Sequence, residues 1–320
     1  MWQVVALGHP TVDIFLKLDP KTVKVSWSKK ERDSFLLLDF DDKTPVEEIH
    51  FSPGGGAVNT AVGLQRLKIS NALIAEAGAD LWGHLLKKKL AAENLALDWF
   101  SLRPQQRTDL SVILLWRGQR TILSYHFPRH YQLPQPFPPT EWLYLSSLGP
   151  HFASFHRQLA PLLQEKSIKL IYNPGSYELS GGFLAQKEIL DQTKVLIVNR
   201  EEGGELVGEK PLKVEQKLLI QLRQKGPEIV VVTDGDKGSF AFDGRHFYQQ
   251  EIIPSPRREM TGAGDAFSAG FIAALIKGHS LSEALLWGNL NSAAVIGQYG
   301  STAGLLTLEK LQKERALLSR

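Results

Sequence analysis

A chain of 320 residues with a formal net charge of +3 can bury the core of one α/β domain with a small appendage, and suits two equal domains less well. No broad basic stripe suggests nucleic acid, and Lys87-Lys88-Lys89, on a predicted helix, reads as a solvated face. The absence of cysteine excludes disulfides, thiolate zinc sites and a cysteine nucleophile.

Met1 to Gly8 is apolar but too short for a signal-peptide core, and no apolar run approaches membrane-spanning length. The expectation is a soluble, cytoplasmic protein. Val4-Val5-Ala6-Leu7-Gly8 reads as a buried parallel strand whose carboxyl end faces a site. Asp13 follows five residues on, and read alone it is more simply a turn residue. From Ile14 to Ser52 the pattern turns to short extended pieces, Ile14 to Leu18, Phe35 to Phe40 and Glu48 to Phe51, with no helix-length period.

Pro53-Gly54-Gly55-Gly56 then runs into a helix burying Val58, Val62 and Leu67, with Asn59 in its first turn. Ala72 to Ala77 reads as a second core strand, and Leu85 to Asn94 as a helix. Asp109 to Trp116 and Arg120 to Tyr125 form a hairpin through Arg117-Gly118-Gln119. Phe127 to Pro139 holds five of the seventeen prolines, so it is neither helix nor central strand. His126 and His130 have helical spacing, but Pro128 between them argues against a metal pair.

Strands at Trp142 to Ser147, Leu170 to Asn173, Val195 to Asn199 and Ile229 to Thr233 alternate with helical patterns, which predicts a parallel sheet covered on both faces. A last helical stretch covers Leu281 to Gln298. Between these lies Thr261-Gly262-Ala263-Gly264-Asp265-Ala266-Phe267, a glycine turn opening a helix with Asp265 in its first turn. Free N–H groups and the dipole at such a start suit a phosphoryl group. A carboxylate there repels phosphate unless it has a purpose, and accepting a proton from an attacking hydroxyl is one. A plain N-terminal Asp cap is the competing account.

The last motif, followed by Ala269-Gly270-Phe271, resembles the C-terminal signature of the ribokinase (PfkB) carbohydrate-kinase family, and Gly54-Gly55 through Asn59 resembles its N-terminal one. The resemblance spans essentially the whole chain. It implies one ribokinase-like three-layer α/β/α domain over 1–320 with a mostly parallel central sheet and a small β-sheet lid from about 13–52 and 98–127. By the same likeness, Asp265 is the base and Gly262, Ala263 and Gly264 form the anion hole. Asp13, Gly54, Gly55 and Asn59 bind the acceptor, and Asp109 reaches down from the lid. Asn199-Arg200-Glu201-Glu202 matches an Asn-x-x-Glu element that organises Mg2+ and phosphates largely through water, with Glu202 as the metal-side group. Thr233, Gly235 and Gly238 match a nucleotide loop, and Asn289 an asparagine near the adenine, although a core asparagine bonded to backbone is the other account.

The implied cofactors are ATP, Mg2+ and, at Glu259, a monovalent cation such as K+. Here the family's Asp-Thr pair is Glu259-Met260, which puts potassium activation in question. Gly56 stands where ribokinase proper has Lys, and Ser146-Ser147 where it has Glu, so ribose is not favoured over other sugars. A nucleoside acceptor stays open, with Trp116, Phe127 and Tyr131 available to stack on a base or to pack in lid and core. A non-catalytic sugar- or nucleotide-binding relative is a further alternative. Without a Gly-Lys dipeptide or a Gly-x-Gly-x-x-Gly run, Walker-type kinases and dinucleotide oxidoreductases are excluded. The partner set is a small sugar or nucleoside substrate, no nucleic acid and no membrane. The apolar Leu36-Leu37-Leu38 suggests a homodimer through the lid.

Overall fold

Runs of β-branched and aliphatic residues, too short for helices and apolar on both faces, become the strands of a large sheet. The computed structural model describes residues 1–27, 34–210, 213–256 and 260–318. Nine strands lie in the order Phe247–Gln250, Ser239–Phe242, Ile229–Thr233, Thr193–Asn199, Lys169–Tyr172, Thr140–Leu145, Trp2–Leu7, Asn71–Gly78 and Phe100–Arg103. The seven from Ile229–Thr233 onward pair in parallel, and the other two pair antiparallel.

Alternate residues of the Trp2–Leu7 strand serve two cores, as the period of a strand requires. Val4 and Ala6 join a cluster with Val58, Val62, Leu67, Phe267, Phe271 and Leu285. Val5 and Leu7 join a second, with Phe155, Leu159, Ile189 and Leu219 on the opposite face. The helices Gly56–Arg66, Ala263–Ile276 and Leu281–Val295 therefore form one outer layer, and Phe152–Glu165, Gly182–Leu190 and Gln216–Arg223 the other. This is the three-layer α/β/α arrangement that the alternation predicts.

A second sheet of four strands runs Val46–Gly54, Thr11–Leu18, Asp109–Trp116, Gln119–Tyr125. The last two make the expected hairpin, pairing from Leu110 with Tyr125 to Trp116 with Gln119. A two-stranded ribbon, Lys24–Trp27 with Ser34–Leu37, packs beside it, bringing Val23 and Leu36 onto Leu18 and Leu114. The expected lid segment 98–127 needs correcting at its start. Phe100–Arg103 pairs with Ala75 to Gly78 at the edge of the large sheet, so this segment enters the small sheet only at Asp109.

The helix expected from Leu85 begins at Leu81, because the Asp80 side chain caps it by accepting from Gly83 N at 2.9 Å. Asp80 also accepts from Thr108 N and Thr108 Oγ1, at 2.9 and 2.6 Å, which fixes the residue before Asp109. Among the described residues, no helix is long and apolar enough to cross a membrane.

Candidate active site

Gly262 caps the helix Ala263–Ile276 in a left-handed conformation, φ 80°, where L side chains are strained. It is also crowded, since a Cβ there would lie 2.8 Å from Ser301. Gly264 is different: apart from its chain neighbours and its own helix's backbone, no described atom lies within 4 Å of the position its Cβ would take, so packing does not demand glycine there. Next to it Asp265 sits in the first turn, part-buried, with Oδ2 accepting from Asn59 Nδ2 at 2.8 Å. Burial raises the Asp265 carboxyl to about 6, and the Asn59 bond opposes that rise.

On one side of Asp265 the three consecutive glycines each resolve a separate collision. A Cβ on Gly54 would stand 2.3 Å from Asp13 Oδ1, one on Gly55 2.4 Å from the His9 carbonyl, and one on Gly56 2.3 Å from Ser146 Oγ. The Gly56 position also lies 3.2 Å from Asp265 Oδ1, which brings this turn against the carboxylate. Asp13, only 4% exposed, accepts from Thr11 Oγ1 at 3.0 Å and from Ser301 Oγ at 3.2 Å. Asp13, Gly54, Gly55, Asn59 and Asp265 are thus assembled into one neighbourhood. Ser146 and Ser301 belong to it as well. Ser301 carried no local signal, since its partner Asp13 is 288 positions away.

On the other side lies a cavity of about 370 Å3 lined by Thr233, Gly235, Gly238, Ala263, Gly264 and Asn289. Phe267, Ile252, Ile253, Pro254 and Ile296 give it apolar walls. Gly238, at φ 89°, lets the chain pass where a Cβ would meet the Gln250 carbonyl at 2.1 Å. Asn289 Nδ2 donates to the carbonyls of Gln250 and Glu251 at 3.2 and 2.8 Å. The backbone-bonding account of Asn289 therefore holds, and the same bonds fix the strand end that walls the cavity.

Asn199 and Glu202 do not line this cavity. They form a reciprocal cap: Glu202 N donates to Asn199 Oδ1 at 2.9 Å, and Asn199 N donates to Glu202 Oε2 at 2.8 Å. Burial raises Glu202 to about 7, with the negative charge of Asp265 adding to the rise. Glu259 lies outside the described residues.

Asp109 is deeply buried and engaged by Arg129, by His126 Nδ1 at 3.1 Å and by Phe127 N at 3.3 Å. His130 stacks on His151, with ring centroids 3.8 Å apart. His126 does find other company that the sequence reading missed, since His9, Asp109 and His126 offer ligand atoms within 4.8 Å of one another. Tyr131 packs against Phe155 in the core, and Trp116 joins the Leu18–Leu114 cluster of the small sheet, so both serve packing.

This arrangement of a large mostly parallel sheet, a second small sheet and helices around them is the ribokinase-like fold. Among solved structures, Arabidopsis thaliana ribokinase complexed with ribose and ATP matches with a TM-score of 0.80 at 21% identity, covering 98% of each chain. Methanocaldococcus jannaschii nucleoside kinase matches at 0.77 and 19%, covering 99% of each. The pattern of the pfkB family carbohydrate kinases fits residues 27–308, and the chain belongs to that family. Its relatives include a Salmonella typhimurium fructokinase, 24% identical over 283 residues, covering 82% of this chain and 90% of the relative. The M. jannaschii nucleoside kinase is 24% identical over 270 residues, covering 82% and 86%.

Proposed function

We propose that the protein transfers the γ-phosphoryl group of ATP to a hydroxyl of a sugar or sugar derivative, with Asp265 as the base. The observation that carries this reading is the place of Asp265. Its carboxyl lies between the Gly54-Gly55-Gly56 turn and a cavity lined by the start of its own helix. Asn59 holds one oxygen, Oδ2, and Oδ1 approaches the turn.

In this reading Asp13, Gly54, Gly55 and Asn59 hold the acceptor, whose hydroxyl passes its proton to Asp265. The acceptor oxygen forms a bond to the γ-phosphorus as the bond to the departing ADP oxygen breaks. N–H groups at the Gly262-Ala263-Gly264 turn receive the charge that develops on the phosphoryl oxygens. A carboxyl titrating at about 6 is ionised at neutral pH yet more basic than a free aspartate, which suits a proton acceptor. A purely binding relative has no use for such a group.

Thr233, Gly235, Gly238 and Asn289 line the place for the nucleotide. Glu202 fits Mg2+, because burial first, and the negative charge of Asp265 after it, raises its carboxyl to about 7, and a divalent cation beside it would favour the ionised form. Glu202 would hold Mg2+, as the resemblance implies, largely through water, and the bound ion would supply positive charge against the phosphates. Potassium activation rests on the resemblance at Glu259 alone, and rates compared in potassium and in a large organic cation test it. Asp13 and the glycine turn serve a free sugar and the ribose of a nucleoside alike.

The test is a phosphorylation screen over hexoses, pentoses, sugar phosphates and nucleosides, run with the native protein and Asp265→Asn. The variant should lose turnover while still binding nucleotide, and unchanged turnover overturns the role of Asp265. A homodimer through the small sheet is a separate reading, supported by exposed Leu37, Leu38, Phe40, Ile49 and Leu123 on the two small sheets and their connections. Sedimentation showing only monomer at micromolar concentration counts against it.

A further inference from the structure

Five polar and aromatic side chains converge beside the acceptor turn without a part in phosphoryl transfer. Asp109 takes Arg129 on Oδ1 and His126 Nδ1 on Oδ2, and the His9 ring stands edge-on to His126 with centroids 4.8 Å apart. Tyr177, 38% exposed, continues the row, edge-on to His126 at 5.8 Å. The row adjoins the acceptor residues through the backbone. The Gly55 turn presses on the His9 carbonyl, His9 N donates to Ser147 O at 2.9 Å, and Asp109 is in register with Thr11, two residues before Asp13.

We propose that this row is the specificity wall of the acceptor site and that it selects a nucleoside, with Asp13 and Gly54-Gly55 on the ribose and His9, His126 and Tyr177 on the base. The assignment rests on the phosphoryl-transfer reading given above for the same site. Three rings in edge-to-face sequence present both faces and edges to a flat heterocycle. His9 Nδ1 is buried and has no hydrogen-bond partner among the described residues, an unmet valence that a polar ring edge can satisfy.

Charge narrows the choice further. Arg129, 2% exposed, is consumed by Asp109 and by the Arg107 carbonyl, so the pair presents no net charge to a ligand. Desolvation lowers His9 to about 4 and keeps that imidazole neutral at physiological pH. An uncharged acceptor therefore fits this neutral surround. The same three groups have metal-ligand spacing, but the guanidinium on Asp109 already supplies the cation that a metal would bring.

The experiment measures binding of nucleosides and of free ribose by calorimetry in the Asp265→Asn protein, so that binding is separated from turnover. In that background, His126→Ala and Tyr177→Ala should weaken nucleoside binding by about tenfold or more and change ribose binding much less. His126→Gln, which keeps a polar group without the ring, should fall between. Equal losses for nucleoside and ribose overturn the wall. Because Tyr177 is on the surface, its variant keeps the test decisive if a buried histidine variant fails to fold. Zn2+ bound at micromolar concentration, and lost in His9→Ala, also overturns it by giving the cluster to a metal. Nucleoside binding without turnover by the native protein leaves the wall standing and sinks phosphoryl transfer. Turnover of free sugars with no nucleoside bound does the reverse.

Discussion

Asn59 Nδ2 and Asp265 Oδ2 meet at 2.8 Å across 206 positions of sequence, joining the first turns of two helices that each start from a glycine turn. The bond favours the ionised carboxylate that burial disfavours. Its removal therefore has a definite sign.

With Asp265 as the base, kcat/KM should fall about tenfold per pH unit below about 6, since only the ionised carboxylate accepts a proton. Asn59→Ala should move that acid limb to higher pH as well as weaken acceptor binding. A pH–rate profile measures both. A limb that stays in place separates Asn59 from the titration of Asp265.

Asp265→Asn should make the protein more stable at pH 8 while ending turnover. The folded carboxyl titrates at about 6 against an ordinary 3.8, so its favourable contribution is full below 3.8 and disappears as pH rises through 6. Above that the ionised group costs at most about 1–3 kcal/mol, an upper range because the residue is only part-buried. Thermal unfolding at pH 8 and pH 4 should show a gain for the variant at the first that shrinks at the second.

Gly54→Ala places a methyl group 2.3 Å from Asp13 Oδ1 and must displace that carboxylate. A shift near 1 Å in a positioning group costs about a hundredfold in rate. The loss should appear in kcat/KM for the acceptor, with nucleotide affinity retained. An acceptor KM equal to that of the native protein would remove Asp13 from the binding set.

His156 lies 1% exposed between the Phe152 and Tyr172 rings, with both ring nitrogens lacking partners among the described residues. Desolvation lowers it to about 3 from an ordinary 6.5. Stability is therefore complete above 6.5 and drains away as pH falls toward 3, by a few kcal/mol at most, because the unfolded chain takes up the proton first. His156→Phe should lower the pH of the acid-unfolding midpoint. An unmoved midpoint would assign acid unfolding to other groups.

Both signatures were legible because their chemistry is local. A glycine turn and the helix it opens lie within a few residues, and the acceptor-binding candidate Asn59 and the candidate base Asp265 sit in those first turns. The sheet was legible for a similar reason, since continuous runs such as Val4 to Leu7 signal burial on both faces. The short strand Phe100–Arg103 escaped, because four residues carry little period and its membership is decided by pairing with Asn71–Gly78. Ser301 escaped because a serine holding an aspartate 288 positions away leaves no mark in its own neighbourhood. The His9–Asp109–His126 cluster was hidden likewise. Two strands of the small sheet and the link after them bring those residues together, and no spacing along the chain records it.

The strand Thr11–Leu18 leaves the large sheet three residues after Leu7 and becomes a member of the small one, taking Asp13 with it. If Asp13 anchors the acceptor, as proposed, any hinge at Gly8 to Pro10 would swing that anchor together with the small sheet. On the proposed reading, loss of the acceptor and admission of solvent to the phosphate would then be a single mechanical event. A protein wired this way could not hold Asp13 near Asp265 while the small sheet stood ajar, which would discourage water from taking the place of the proposed acceptor.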